Sequence, residues 1–228
     1  MQKTTETFVD ALLKGDHAAS LRIVQNQREH HSRFTIYNEL ITPAMHEIGM
    51  LWQQNKITVA DEHLATAVCD FVLSQTEYDL VQHSDFQETT PKAMFFTVQD
   101  EYHYLGLKMV SILFREKDWN VKYYQSNLSI DHVMEQVETW KPAVIGLSFA
   151  LAYRIEALTA YLKKFSELDY EPEILVGGRL MHQYDFSSIG PPNTTFIENL
   201  NELQTWFNKD KTIRRDDSDG KANTSSVI

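Results

Sequence analysis

Two hydrophobic rhythms divide the chain. Up to about residue 82, apolar positions recur at helical spacing. Phe8, Leu12 and Leu13 form the stripe of a first short helix, and Gly15-Asp16 ends it and caps a second that carries Ala18, Leu21, Ile23 and Val24. A third run from about Arg33 to Gln54 holds Ile36, Leu40, Ile41, Met45, Ile48, Leu51 and Trp52. Pro43 lies inside it and predicts a kink or a break, because proline removes a backbone donor and crowds the preceding turn. A fourth helix starts near Thr58 with Leu64, Ala67, Val68, Phe71 and Val72. Four amphipathic helices with short connections predict a bundle over residues 1–82. Residues 83–91 are polar and end in Pro91, which reads as a linker. From 92 to 208 the rhythm changes. Strands are predicted at 93–98, 120–124, 143–148, 173–176 and 194–197, and helices at 104–117, 129–139, 152–167 and 199–208. This alternation makes the second part α/β, a parallel sheet with helices on both faces. Residues 209–228, charged and then small and polar, read as a disordered tail.

Composition narrows the function. The chain has 228 residues, 43% hydrophobic and 23% charged, an ordinary balance for a globular protein. No run approaches the roughly 18 apolar residues of a membrane span, and the polar N-terminus has no signal-peptide core. The single cysteine, Cys69, excludes an intramolecular disulfide and fits a cytoplasmic location. A formal net charge of −11 argues against direct nucleic-acid binding, which draws on a basic face. Zinc-ligand spacings, a Walker-type phosphate loop and a Gly-x-Ser-x-Gly elbow are all missing.

The chemistry is concentrated in Gln99-Asp100-Glu101-Tyr102-His103-Tyr104-Leu105-Gly106. An apolar strand feeds into this stretch and a helix leaves it, so it lies at the carboxyl edge of the sheet, where ligands of such folds bind. An acid two residues before a histidine can take a hydrogen bond from one ring nitrogen and leave the other for a metal. Gly106 permits close approach to something bulky. A histidine after a strand is in general more often a satisfied structural residue than a ligand; the position, the acid and the glycine together shift the balance. Ser148 closes the third strand and Gly177-Gly178 the fourth, and each alone reads as an ordinary strand-to-loop turn. Trp52, followed after nine residues by Glu62-His63, reads alternatively as a core aromatic, a first-turn acid and a capping residue. His30-His31 point to different helix faces and are assigned no metal; His46, His83, His132 and His182 are left without a role.

Glu101-x-His103-x-x-Gly106 resembles the Asp-x-His-x-x-Gly signature of cobalamin-binding domains with a flavodoxin-like (Rossmann-type) fold, with Glu in place of Asp. The resemblance implies that His103 is the lower ligand of cobalt, that Glu101 orients it, and that Ser148, Gly177 and Gly178 border a slot for the cofactor's nucleotide tail. Ser148-Phe149-Ala150 matches the usual Ser-x-Leu only in part. A helical bundle ahead of such a domain is similar to the caps of methionine synthase and of corrinoid methyltransferase proteins. Trp-x(9)-Glu-His is similar to CarH-type cobalamin photoreceptors and the related AerR antirepressors. By that resemblance Trp52 and Glu62 adjoin a 5′-deoxyadenosyl group above cobalt, and His63 takes the vacated upper position after light.

The implied function is a cytoplasmic cobalamin sensor of light, not an enzyme. It would hold adenosylcobalamin in the dark and a hydroxocobalamin or bis-histidine form after light. It would act on a protein partner such as a transcription regulator, or through self-association. The chain starts at the bundle without a MerR-like DNA-binding domain, so a stand-alone, AerR-like module is expected. The main alternative is a corrinoid methyl carrier of a methyltransferase system. A mutase-like subunit, or a flavodoxin-like module for another ligand, is a further alternative.

Overall fold

The computed structural model describes residues 1–82, 86–125, 128–181, 183–184, 186 and 188–209. Helix α1 (Gln2–Leu13) ends at Gly15, and the side chain of Asp16 caps α2 (His17–Arg28) by accepting from Ala19 N at 2.8 Å. Helix α3 (Arg33–Ile36), a π-helical segment (Tyr37–Ile41) and α4 (Thr42–Gln53) follow without a gap. The disturbance predicted from Pro43 is this π segment. Proline has no N–H to donate one turn back, and Thr42 N–H instead reaches five residues back to Tyr37 O. Helix α5 (Val59–Val81) opens on a capping box in which Thr58 and Asp61 satisfy each other's backbone N–H groups.

Five strands then form one parallel sheet: β1 (Lys92–Thr97), β2 (Asn120–Tyr124), β3 (Val144–Ser148), β4 (Glu173–Gly177) and β5 (Thr194–Ile197). Their order is β2-β1-β3-β4-β5. The crossovers are α6 (Leu105–Arg115), α7 (Ile130–Trp140) and α8 (Ile155–Phe165), with a 3-10 turn, Ala152–Arg154, before α8. A helix over 200–209, α9, closes the described chain. The expected fold is therefore present: a helical domain followed by a parallel sheet with helices on both faces.

Strand β1 alternates between the two faces as period-two geometry requires. Ala93 and Phe95 join the core that α6, α9 and the bundle share, while Met94, Phe96 and Val98 join the core under α7 and α8. Helix α6 is buried on two sides, against the sheet and against α5; Leu105, Leu107, Lys108, Met109, Ser111, Ile112, Leu113 and Phe114 are all covered. Ion pairs stitch this seam. Lys108 Nζ, 8% exposed as a residue, donates to Asp70 Oδ1 (2.6 Å), Asp70 O (3.1 Å) and Ser74 Oγ (2.7 Å). Arg115 pairs with Glu77 at 2.6 Å, and the buried Arg33 reaches both Glu116 at 2.5 Å and Asp79 at 3.0 Å. No helix among the described residues is long and apolar enough to cross a membrane.

Candidate functional site

In this strand order, β1 and β3 are the neighbours at which the connections turn to opposite faces, so a crevice opens above their carboxyl ends. Strand β1 stops at Thr97. Val98 N–H still bonds Ser148 O at 3.1 Å, after which the chain turns. Glu101 N–H donates back to Val98 O at 3.0 Å, and Thr97 Oγ1 donates to Glu101 O at 2.8 Å. Asp100 takes up the turn with φ +60°, a left-handed conformation that costs most L residues roughly 1–2 kcal/mol and aspartate less.

The turn drives the Glu101 side chain inward, to 0% exposure. Its Oε1 accepts from His103 N at 2.9 Å and lies 2.5 Å from His103 Nδ1; its Oε2 accepts from Ala150 N at 2.8 Å. Burial pushes the Glu101 carboxyl up, but the bonds from the His103 ring, the His103 N–H and the Ala150 N–H outweigh it and hold the group below its ordinary range. An ionised carboxylate only accepts, so the proton of a neutral His103 ring sits on Nδ1 and the Nε2 lone pair is free. The His103 side chain is 46% exposed. Glutamate in place of the commoner aspartate thus still reaches the ring, and its other oxygen anchors the loop after β3.

Three strand ends stand side by side here, with Thr97 beside Ser148 and Ser148 beside Gly177 in register. A side chain added at Gly106 would enter open space, and one at Gly177 would come no nearer than 3.7 Å to Ile197 O. Gly178 is different. Its φ is +144°, and a Cβ there would run into the backbone carbonyl of Phe149. The chain's own packing therefore already requires this glycine, whatever else its bareness serves.

The second group of predicted residues lies at the turn between α4 and α5. Trp52 is 46% exposed in the last turn of α4. Glu62 accepts from Thr66 Oγ1 at 3.1 Å and pairs with His63 Nδ1 at 2.9 Å, and the His63 side chain is 75% exposed. None of the three is consumed by the core. The pairs Asp70–Lys108 and Glu77–Arg115 set α5 parallel to α6. At 1.5 Å per residue, Glu62 stands about 12 Å beyond the level of Lys108, past the N-terminus of α6. That is the edge from which the His103 loop enters α6. No hydrogen bond or ion pair among the described residues joins the two groups. His83 and His182 lie outside the described residues, and so does most of the expected tail.

Sequence reasoning missed Ala150, which acts through its backbone and leaves no side-chain signal. Asp100, which lies beyond the end of β1, turns the chain with its left-handed backbone. Among the described residues no three His, Cys, Asp or Glu side chains cluster as the ligands of a bare ion. One imidazole with a free Nε2, beside a crevice, fits a metal whose other ligands come with it, as cobalt does in a corrin ring. His103 would hold it from one side, with Glu101 behind.

Comparison with known proteins agrees. Residues 4–77 match a family described as a B12 binding domain, and residues 91–188 match a second family of the same description. Among solved structures, the monomethylamine corrinoid protein of Methanosarcina barkeri shares the fold, with a TM-score of 0.69, 13% identity and coverage of 88% of this chain and 95% of that one. The methanol:cobalamin methyltransferase complex MtaBC of the same organism is matched at TM-score 0.43 and 14% identity, covering 86% and 75%. A cobalamin-binding protein of Desulfitobacterium hafniense DCB-2 is matched at 0.37 and 14%, covering 75% and 82%. No curated protein sequence matches. With a B12 binding domain recognised in the helical part and another in the α/β part, the chain is a cobalamin-binding domain protein.

Proposed function

We propose that this protein is a light-responsive cobalamin sensor that signals through a protein partner and is not itself an enzyme. The observation that carries the proposal is the half-exposed Trp52 with the Glu62–His63 pair at the turn between α4 and α5, at a level of α5 past the N-terminus of α6. Packing does not call for these side chains there. An alkyl cobalamin such as adenosylcobalamin supplies a cobalt–carbon bond that light can break. Around it the chain's own groups divide the work. His103 offers Nε2 from the sheet while Glu101 fixes its tautomer. Trp52 contributes an apolar surface that excludes water from the bundle side. Glu62 holds one nitrogen of His63, which leaves the other for the metal side. A second imidazole that engages only after illumination gives the two states different contacts with the bundle, which a switch requires. The partner, a transcription regulator or a second copy, would read the bundle's position.

The test is reconstitution with adenosylcobalamin in the dark, followed by illumination and absorbance spectroscopy. A bis-histidine cobalt spectrum is expected after light for the wild type, and its loss for His63→Ala. An unchanged illuminated spectrum in His63→Ala refutes the switch.

A second reading is a corrinoid methyl carrier, and the fold shared with a monomethylamine corrinoid protein favours it. A carrier needs an open upper face for methyl donors, which Trp52 and His63 would obstruct. Methyl transfer to and from the loaded protein with partner methyltransferases would establish the carrier.

A further inference from the structure

The loop that presents His103 is gripped from a second side by a residue far away in sequence. Arg154 ends the 3-10 turn after β3. Its Nη2 donates to Asp100 O at 3.1 Å, and its Nη1 lies 3.4 Å from Asp100 Oδ2. The guanidinium also lies over the Tyr153 ring, 5.0 Å from its centroid. Its Nε is buried and has no acceptor among the described residues, so the group is held in place with a donor left over. A surface arginine that served solvation alone would not be kept in this state.

Asp100 is the left-handed residue that reverses the chain after β1. By holding its carbonyl and its carboxylate at once, Arg154 fixes the plane of the Asp100–Glu101 peptide. The next residue then has one direction to go, inward to Ala150 and the His103 ring. The β3–α8 connection therefore holds the ligand loop twice, through Ala150 N–H on Glu101 and through Arg154 on Asp100. Lysine could supply a charge here but not two bonds in a fixed fork.

We infer that Arg154 is a positioning residue for the lower imidazole: through Asp100 it sets the angle at which His103 faces the metal, without touching the cofactor. The inference rests on the reading of His103 as the cobalt ligand. Removing Arg154 should leave corrinoid binding in place and loosen the nitrogen–cobalt contact.

The experiment uses the full chain loaded with cob(II)alamin, obtained by anaerobic reduction of bound hydroxocobalamin. Electron paramagnetic resonance of protein labelled with 15N-histidine shows whether a histidine nitrogen splits the cobalt lines into doublets; a triplet from the cofactor's own 14N benzimidazole does not count as this splitting. Wild type, Arg154→Gln, Arg154→Lys and His103→Ala are compared, with melting temperature and total bound corrinoid recorded for each. The wild type is expected to show the splitting and His103→Ala to lack it. In Arg154→Gln the balance should shift about tenfold toward the unsplit form, as loss of an outer partner of a metal ligand does. Arg154→Lys should fall between, and it carries the test should the glutamine variant fail to fold. Full splitting in both Arg154 variants overturns the inference and leaves the His103 assignment standing. A wild type without splitting overturns both.

Discussion

Replacing Glu101 by glutamine tests the site at its most constrained atom pair. The carboxylate accepts from three N–H groups at full burial, two on His103 and one on Ala150. Glutamine keeps the shape but has one oxygen and one NH2. If the oxygen faces His103, the NH2 abuts Ala150 N–H, donor against donor. A buried donor left without a partner costs about 1–3 kcal/mol, so the loss falls on the stability of the cofactor-free fold. If the oxygen faces Ala150, the NH2 confronts the His103 backbone N–H and favours the ring tautomer that protonates Nε2. The loss then falls on cobalt ligation, at about 10- to 100-fold in affinity, or roughly 1.4–2.8 kcal/mol. One of the two must occur. Urea unfolding of the cofactor-free protein and titration with hydroxocobalamin measure them separately. Glu101→Asp, one methylene shorter, should reach one side only and lose less. Unfolding free energy within about 0.5 kcal/mol of wild type, together with an unchanged Kd, would refute the picture of a carboxylate shared between the two loops.

Four other outcomes follow from the structure. Lys108→Met leaves Asp70 without its ammonium at the α5–α6 seam and should cost about 2 kcal/mol in urea unfolding, with part recovered in the Lys108→Met/Asp70→Leu double variant. Burial pushes the Asp79 carboxyl up, but Arg28 and Arg33 outweigh it and hold it below its ordinary value of 3.8. Its stabilisation is therefore complete above that value and fades as pH falls through the lower folded value; Asp79 is half-exposed, so Asp79→Asn should cost under about 1 kcal/mol near pH 6 and progressively less as pH falls below 3.8, by urea unfolding at each pH. Burial pushes the Cys69 thiol up to about 12, so Ellman's reagent at about pH 8 should not label the native protein and should label it in denaturant. Gly178→Ala should destabilise the fold by more than about 2 kcal/mol, because it adds a side chain at φ +144° against Phe149 O; a thermal melt within a few degrees of wild type would contradict this.

What was legible in the sequence was local. Strand positions followed from apolar runs, and the observed ends differ by a residue or so because a run does not mark where a ladder bond stops. The acid–histidine spacing spoke for a hydrogen bond that lies within three residues, and the structure has it. Pro43 announced a disturbance, but its form, a π segment upstream, depends on which carbonyl finds a new donor. Contacts between distant segments were not legible. Arg154 meets Asp100 across 54 positions and Lys108 meets Asp70 across 38, and neither partner carries a pattern pointing to the other. Gly178 was visible as a bare position, but its contact with the Phe149 carbonyl, which forbids a side chain there, was not.

The two-sided burial of α6 governs how this architecture can be recombined. A chimera that borrows the helical bundle from another protein inherits a seam written for a different helix, with Lys108, Met109 and Arg115 facing strangers. Transplantation succeeds only if the outward residues of α6 travel with the bundle, so the natural unit of exchange runs past the linker and ends inside the sheet's first crossover.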